Sequence, residues 1–195
     1  MKKLSLIDFF IGHHRRLAKV IRYSTRIRSF DESVSTHTFF VVLYTAILSD
    51  ILIKKGIEVD KSKAMTRALV HDLAEQTSGD IIRTFKADLP EAFNRLEEIS
   101  VNKSLQTLPE ELKNEYSENW QKMFDDLEGL IVKVADDISG LMYCYESIKM
   151  GNQYFYGIYQ HYFDRLMKEI KGTKLEFLKK EFKKLNYNKR IVDGT

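Results

Sequence analysis

Residues 64–80 read Ala-Met-Thr-Arg-Ala-Leu-Val-His-Asp-Leu-Ala-Glu-Gln-Thr-Ser-Gly-Asp. The stretch predicts a helix that begins near Asp60 and carries Ala64, Ala68, His71, Asp72 and Glu75 until Thr77-Ser78-Gly79 ends it, with Asp80 just beyond the stop. At 3.6 residues per turn, His71, Asp72 and Glu75 fall within about 100° of arc, and the two alanines share that arc. Small side chains there let a second helix or a ligand come close to three polar groups, which are expensive to bury unless partnered. On these residues alone two readings stand open: an exposed polar face closing a helix, or a set of ligands.

Working outward, the pattern stays helical. Ser5 to Ile21 places Leu6, Phe9, Phe10, Leu17, Val20 and Ile21 on an amphipathic pattern, and the cation-rich segment from Arg22 to Asp31 interrupts it. Ser33 is a natural N-cap for a second helix ending before Gly56. Its predicted inner face holds Phe40, Val41, Tyr44, Ile47, Leu48 and Ile51, with His37 among them. Pro90 can open a helix carrying Phe93, Leu96 and Ile99, and Thr107-Leu-Pro-Glu110 matches a capping box before another. A long apolar helix is expected from about Met123 to Met150, stopped by Gly151. An aromatic and then a Lys-rich helical stretch follow, the latter ending near Leu185. The expectation is an all-α bundle of roughly seven to nine helices, a single domain over residues 1–195 with its motif-bearing core at about 20–150.

Composition narrows the function. A chain of 195 residues with 44% hydrophobic side chains suits one core. Thirty-one Lys and Arg against 28 Asp and Glu leave a net charge of +3, too slight for a dedicated nucleic-acid binder but compatible with a local pocket for a phosphorylated small molecule. The clusters His13-His14-Arg15-Arg16 and Lys179-Lys180 to Lys183-Lys184 read as solvated helix faces, so no nucleic-acid partner is expected. A lone Cys144 fits a reducing compartment. The apolar start is interrupted by Asp8 and lacks a cleavage site, and the uncharged run Ser33–Ser49 falls short of a membrane span. The expectation is a cytoplasmic protein with no membrane partner.

His37 is a second inward imidazole, on a different helix from His71-Asp72. Alone it reads as a hydrogen-bonded core histidine; with the His-Asp pair it reads as a metal ligand. Neutral imidazoles with carboxylates suit Mn, Fe, Co, Ni or Zn better than Ca. Val132-Lys-Val-Ala-Asp136-Asp137 offers a further carboxylate. Asp136 shares its helix side with Gly129, Val132, Gly140 and Tyr143, a face a neighbouring helix can approach. Asp137 follows Lys133 by four and reads as the solvated, salt-bridged member.

His37, then His71-Asp72, then Asp136 resembles the H…HD…D signature of the HD-domain metal-dependent phosphohydrolases, and the branch it is most similar to is the YfbR-like 5′-deoxynucleotidases. The resemblance rests on Arg22-Tyr23, Glu32-Ser-Val-Ser-Thr-His37, His71 through Asp80, and Val132 through Asp136, in family order. It implies an all-helical fold and a divalent metal, Co²⁺ or Mn²⁺, held by His37, His71, Asp72 and Asp136. It also implies Glu75 as the catalytic carboxylate, Asp80 as a group positioning substrate or water, and Arg22 as a phosphate or sugar contact. The bacterial deoxynucleotidases usually carry Trp after that Arg; Tyr23 stands here, which weakens the case for strict 2′-deoxyribose selection. Related small HD enzymes act on nucleoside triphosphates, one of them in oxetanocin-A biosynthesis, and the chain resembles these as well.

The expected activity is therefore release of inorganic phosphate from a nucleotide or nucleoside-analogue mono-, di- or triphosphate by metal-activated water. Arg22, Arg26, Arg83 and Lys86 are the available cations; Arg22 and Lys86 are favoured, while Arg26 and Arg83 read first as surface charges. A nonenzymatic nucleotide sensor that keeps the same pocket is the alternative. The aromatic run Tyr143 to Phe163 reads as core or as a subunit interface, consistent with a homodimer.

Overall fold

The computed structural model describes residues 6–81 and 83–185, and the side chains of Arg83 and Thr84 lie outside that description. Ten α-helices and three 3₁₀ turns appear among the described residues. A single isolated antiparallel bridge, Ile21 to Ser33, is the only extended pairing there. The all-α expectation is met.

The predicted first helix is not continuous. Helix α1 covers Leu6–Phe10, a 3₁₀ helix covers His13–Ala18, and Gly12 between them has extended geometry; Ser5 lies outside the described residues. Arg22 to Asp31 is irregular as expected. Both ends of this loop are tied down: Arg22 N–H donates to Glu32 O and Val34 N–H to Val20 O, each at 2.9 Å.

Helix α2, Val34–Lys54, starts at Ser33, whose hydroxyl accepts the Thr36 N–H. Such a cap stabilises a helix by about 1 kcal/mol. The buried face is rotated from the predicted one: Val34, His37, Thr38, Val41, Thr45, Leu48, Ser49 and Leu52 face inward, while Ile47 is half exposed. Small hydroxyl residues can occupy that face because Thr38 Oγ1 donates to Val34 O and Ser49 Oγ to Thr45 O, both at 2.8 Å, within the helix itself. The large apolar side chains Phe39, Leu43 and Ile47 point outward. At 21 residues α2 is long and apolar enough by composition to cross a membrane. Its inner face nevertheless carries a buried imidazole and packs on two other helices.

Asp60 caps α3, Lys61–Val70, through the Lys63 N–H. The single helix expected to run to Gly79 breaks at His71: residues 71–74 form turns, and a short α4, Glu75–Ser78, follows before Gly79 at φ +73°. Helix α5 spans Arg83–Asp88 and α6 spans Pro90–Leu105, with Pro90 at its first turn. On α6 Phe93 is buried, but Leu96 and Ile99 are exposed and Val101 and Leu105 pack inward instead. Helix α7, Glu110–Gln121, begins after Pro109 with no side-chain cap, so the Thr107 capping box does not form.

Helix α8, Asp126–Lys149, is the central element: α2, α3 and α9 all pack on it. Gly151 at φ +90° stops it. A 3₁₀ turn, Gln153–Phe155, leads into α9, Tyr156–Glu169, and the described residues end with α10, Leu178–Phe182, and a 3₁₀ turn to Leu185. Tyr143, Phe155, Tyr159 and Phe163 are buried with α2 and α8 residues in the main core, so most of the aromatic run is packing, although Tyr154 is exposed. Gly140 lets α9 sit directly on α8, because a Cβ there would fall inside the Tyr162 ring.

Candidate metal centre and substrate cleft

Four side chains from three separate parts of the chain converge. His37 from α2 and His71 at the end of α3 face each other with their Nε2 atoms 3.4 Å apart. Asp72 Oδ2 lies 3.1 Å from His71 Nε2 and 3.6 Å from His37 Nε2, and Asp136 Oδ1 from α8 lies 3.1 Å from His37 Nε2. The helix break after Val70 puts His71 and Asp72 on consecutive turn positions at the mouth of the core. The His71 Nδ1 proton is donated to Ala68 O at 2.7 Å, which points Nε2 into the cluster. His37 Nδ1 lies 2.8 Å from Ser139 Oγ and 2.9 Å from Arg22 Nη1, and these contacts turn Nε2 toward the cluster.

Electrostatics separates the two imidazoles. Burial, then Arg22, lowers His37 to about 4. Burial also works to lower His71, but Asp72 beside it outweighs that and raises it to about 9. Burial opposes ionisation of both aspartates; His71 nevertheless holds Asp72 far below the usual carboxylate range, and His37 brings Asp136 down to about 2. Two buried imidazole nitrogens and an Asp72 oxygen within 4.8 Å of one another, with Asp136 beside them, fit a divalent transition ion.

Glu75 sits at the start of α4, 6% exposed. Burial, then Asp72 and Asp80, pushes its carboxyl up to about 9, with Lys86 opposing from 3.8 Å. Asp80 is not aimed only at a ligand: its Oδ2 accepts the backbone N–H of Tyr23 at 2.8 Å. That bond holds Tyr23 at φ +55°, a left-handed conformation uncommon for a bulky residue. Tyr23 donates its hydroxyl to the Tyr162 hydroxyl at 2.9 Å and stacks on Tyr143 at 5.1 Å. Arg22 is less available than the sequence suggested. It is buried, its Nη1 donates to Glu32 Oε2 at 2.6 Å, and the same nitrogen lies 2.9 Å from His37 Nδ1. Arg26 is exposed at the cleft edge, and Arg83 opens α5 with its side chain outside the described ones.

These residues line a cleft of about 830 Å³. Asp72, Glu75, Asp80 and Asp136 meet Arg22, Tyr23, Arg26 and Lys86 there, joined by Gly157, His161, Tyr162 and Arg165 from α9. The α9 residues escaped the sequence reading. Their signal was Gly157, His161 and Arg165 at successive spacings of four, a cleft-facing stripe on a helix that otherwise reads as core. Asp137 departs from expectation as well. It is fully buried rather than solvated, and its partner is Arg165, while Lys133 pairs with Glu169 at 3.2 Å.

The family model for 5′-deoxynucleotidase YfbR-like proteins matches residues 9–185. The chain belongs to the YfbR-like family. Among curated relatives of this family member, the 5′-deoxynucleotidase YfbR of Shigella boydii is 26% identical over 151 residues, covering 75% of this chain and 76% of its own. The 5′-deoxynucleotidase of Erwinia tasmaniensis is 27% identical over 153 residues with the same coverage. Among solved structures, an HD-domain phosphohydrolase from Listeria innocua aligns with TM-score 0.82 at 20% identity, covering 97% of this chain and 93% of that one. A conserved hypothetical protein from Pyrococcus furiosus aligns at 0.73 with 24% identity, covering 92% and 97%. At these identities the structural likenesses speak for the HD fold.

Proposed function

We propose that this YfbR-like chain is a metal-dependent phosphohydrolase that removes the phosphate of a nucleoside 5′-monophosphate, with His37, His71, Asp72 and Asp136 holding the cation and Glu75 acting on water. The observation that carries this reading is the convergence of those four ligand-type side chains at the floor of a cleft whose next carboxylate is Glu75. A Co²⁺ or Mn²⁺ ion held by His37, His71, Asp72 and Asp136 would supply Lewis acidity toward the phosphoryl group and lower the pKa of water. Glu75 lines the cleft beside the cluster, and its carboxylate form orients the attacking water and takes its proton as the new P–O bond forms. The P–O5′ bond then breaks, and the departing nucleoside oxygen takes the proton that Glu75 received from the water, leaving nucleoside and inorganic phosphate. Lys86, 3.8 Å from Glu75, balances carboxylate and phosphate charge. Asp80 acts by fixing the Tyr23 backbone, and Tyr23 with Tyr162 forms the wall against which the sugar rests.

In this reading residues 1–195 act as one HD domain on a free cytoplasmic nucleotide, with neither nucleic acid nor membrane as partner. The test is a panel of 2′-deoxy- and ribonucleoside mono-, di- and triphosphates offered to protein loaded with Co²⁺ or Mn²⁺. Phosphate release from monophosphates is expected. Stepwise loss of phosphate from triphosphates instead would move the assignment to the oxetanocin-type enzymes, and nucleotide binding without turnover, unaltered by Glu75→Gln, would favour a sensor.

A further inference from the structure

Four cations line the described cleft, and they differ in how far each is already committed. Arg22 is buried and engaged by Glu32. Lys86 lies against Glu75 and over the Phe93 ring, 4.7 Å from its centroid. Arg26 is exposed in the irregular loop. Arg165 is held from below. Its Nη2 is ion-paired with Asp137, a carboxylate with no solvent exposure, and its Cζ lies 5.0 Å from the centroid of the Tyr162 ring. The side chain keeps 29% of its surface exposed and lines the cleft, with Nη2 3.9 Å from Asp136 Oδ2.

We infer that Arg165 is a phosphate-binding residue, contributed by α9 and held in place by Asp137, which acts as its positioning residue. A guanidinium has five N–H donors in a rigid fork, so engagement of one nitrogen by Asp137 leaves donors for a second anion. The fork is pre-ordered: the buried carboxylate below and the aromatic ring beside it restrict a side chain that would otherwise lose considerable freedom on binding. Its position next to Asp136 puts it beside the place where a phosphoryl group must sit if the proposed phosphohydrolase reading holds, on which this inference rests. Asp137 cannot reach the ligand itself. Its burial makes sense as an anchor, because a carboxylate at that depth needs a cation and Arg165 is the cation that meets it.

The test uses metal-loaded protein and inorganic phosphate, read as product inhibition, alongside KM and kcat for a nucleoside monophosphate. Arg165→Lys preserves a charge for Asp137 but loses the fork. The double variant Asp137→Asn/Arg165→Gln removes both charges of the pair together, so neither ion is left unpaired. Both are expected to raise KM and weaken phosphate inhibition roughly tenfold or more, with a smaller change in kcat. Wild-type KM and phosphate inhibition in the folded double variant would show that Arg165 only neutralises Asp137, and would overturn the inference. A measurement on the unaltered protein guards against variants that do not fold: phenylglyoxal labelling of Arg165, followed by mass spectrometry, should slow in the presence of inorganic phosphate. Labelling of Arg165 that phosphate leaves unchanged would overturn the inference too. Absence of turnover by the wild type would count against the phosphohydrolase reading, while the labelling result would still decide whether Arg165 binds phosphate.

Discussion

On the α2, α3 and α8 side of the cleft, two buried imidazoles, His37 and His71, turn their Nε2 atoms toward the half-buried carboxylates of Asp72 and Asp136. On the α9 side, Tyr162 and Arg165 meet the same cleft with partners behind them: Tyr23 for the hydroxyl and buried Asp137 for the guanidinium. The first wall has unusual residue types at fixed order and spacing. The second has ordinary ones, and their roles come from packing. The comparison separates groups that need a ligand from groups that are self-satisfied and present what remains of their bonding capacity.

The largest expected effect lies on the first wall. Asp72→Ala should cut phosphate release by well over ~100-fold, since losing merely an outer partner of a metal ligand commonly lowers affinity or activity by 10–100-fold. A variant with near wild-type turnover and metal content would remove Asp72 from the ligand set. Next, Glu75→Gln should lower kcat by about 10²–10⁴-fold, the usual contribution of a general base. The same substitution should stabilise the metal-free protein. A carboxyl raised from 4.5 to about 9 binds its proton more tightly folded than unfolded, so folding loses stability as pH climbs through that window. The variant's advantage should be absent below pH 4.5 and widen steadily toward pH 9, read as a growing difference in Tm. Thermal melts across pH that show no growing gap would contradict the environment assigned to Glu75.

How much of this was legible in the sequence follows the same division. Each ligand-type residue has a plain structural explanation by itself; they could be singled out because His37, His71-Asp72 and Asp136 together stand in an order that resembles a family signature. The break of the helix at His71 was not legible: nothing between Val70 and Glu75 disfavours helix, and the turn arises where the segment meets the core. The phase of α2 was misjudged because bulk apolarity favoured Phe40 and Ile47, whereas close packing with α3 and α8 admits Thr45 and Ser49. Asp137 looked solvated because its visible neighbour was Lys133; its true partner comes from another helix.

Smaller effects test the second wall. Gly140→Ala should destabilise the protein by about 1–3 kcal/mol, because the new Cβ must displace the Tyr162 ring. An unchanged denaturation midpoint would show that α9 is not seated there. Tyr162→Phe should be the mildest, about 0.5–1.5 kcal/mol from loss of the bond with Tyr23, together with altered discrimination between ribose and 2′-deoxyribose substrates. Unaltered sugar preference would detach this hydroxyl pair from the substrate wall.

The central claim is that one ion at the His37, His71, Asp72 and Asp136 cluster makes the cleft catalytic. Its most direct test is a calorimetric titration of Mn²⁺ or Co²⁺ into metal-stripped protein, with phosphate release from a nucleoside 5′-monophosphate followed at each step. The account predicts one equivalent bound, turnover rising in parallel and saturating with it, and both lost in His71→Ala. Turnover in fully stripped protein, or stoichiometric binding that survives His71→Ala, would contradict it.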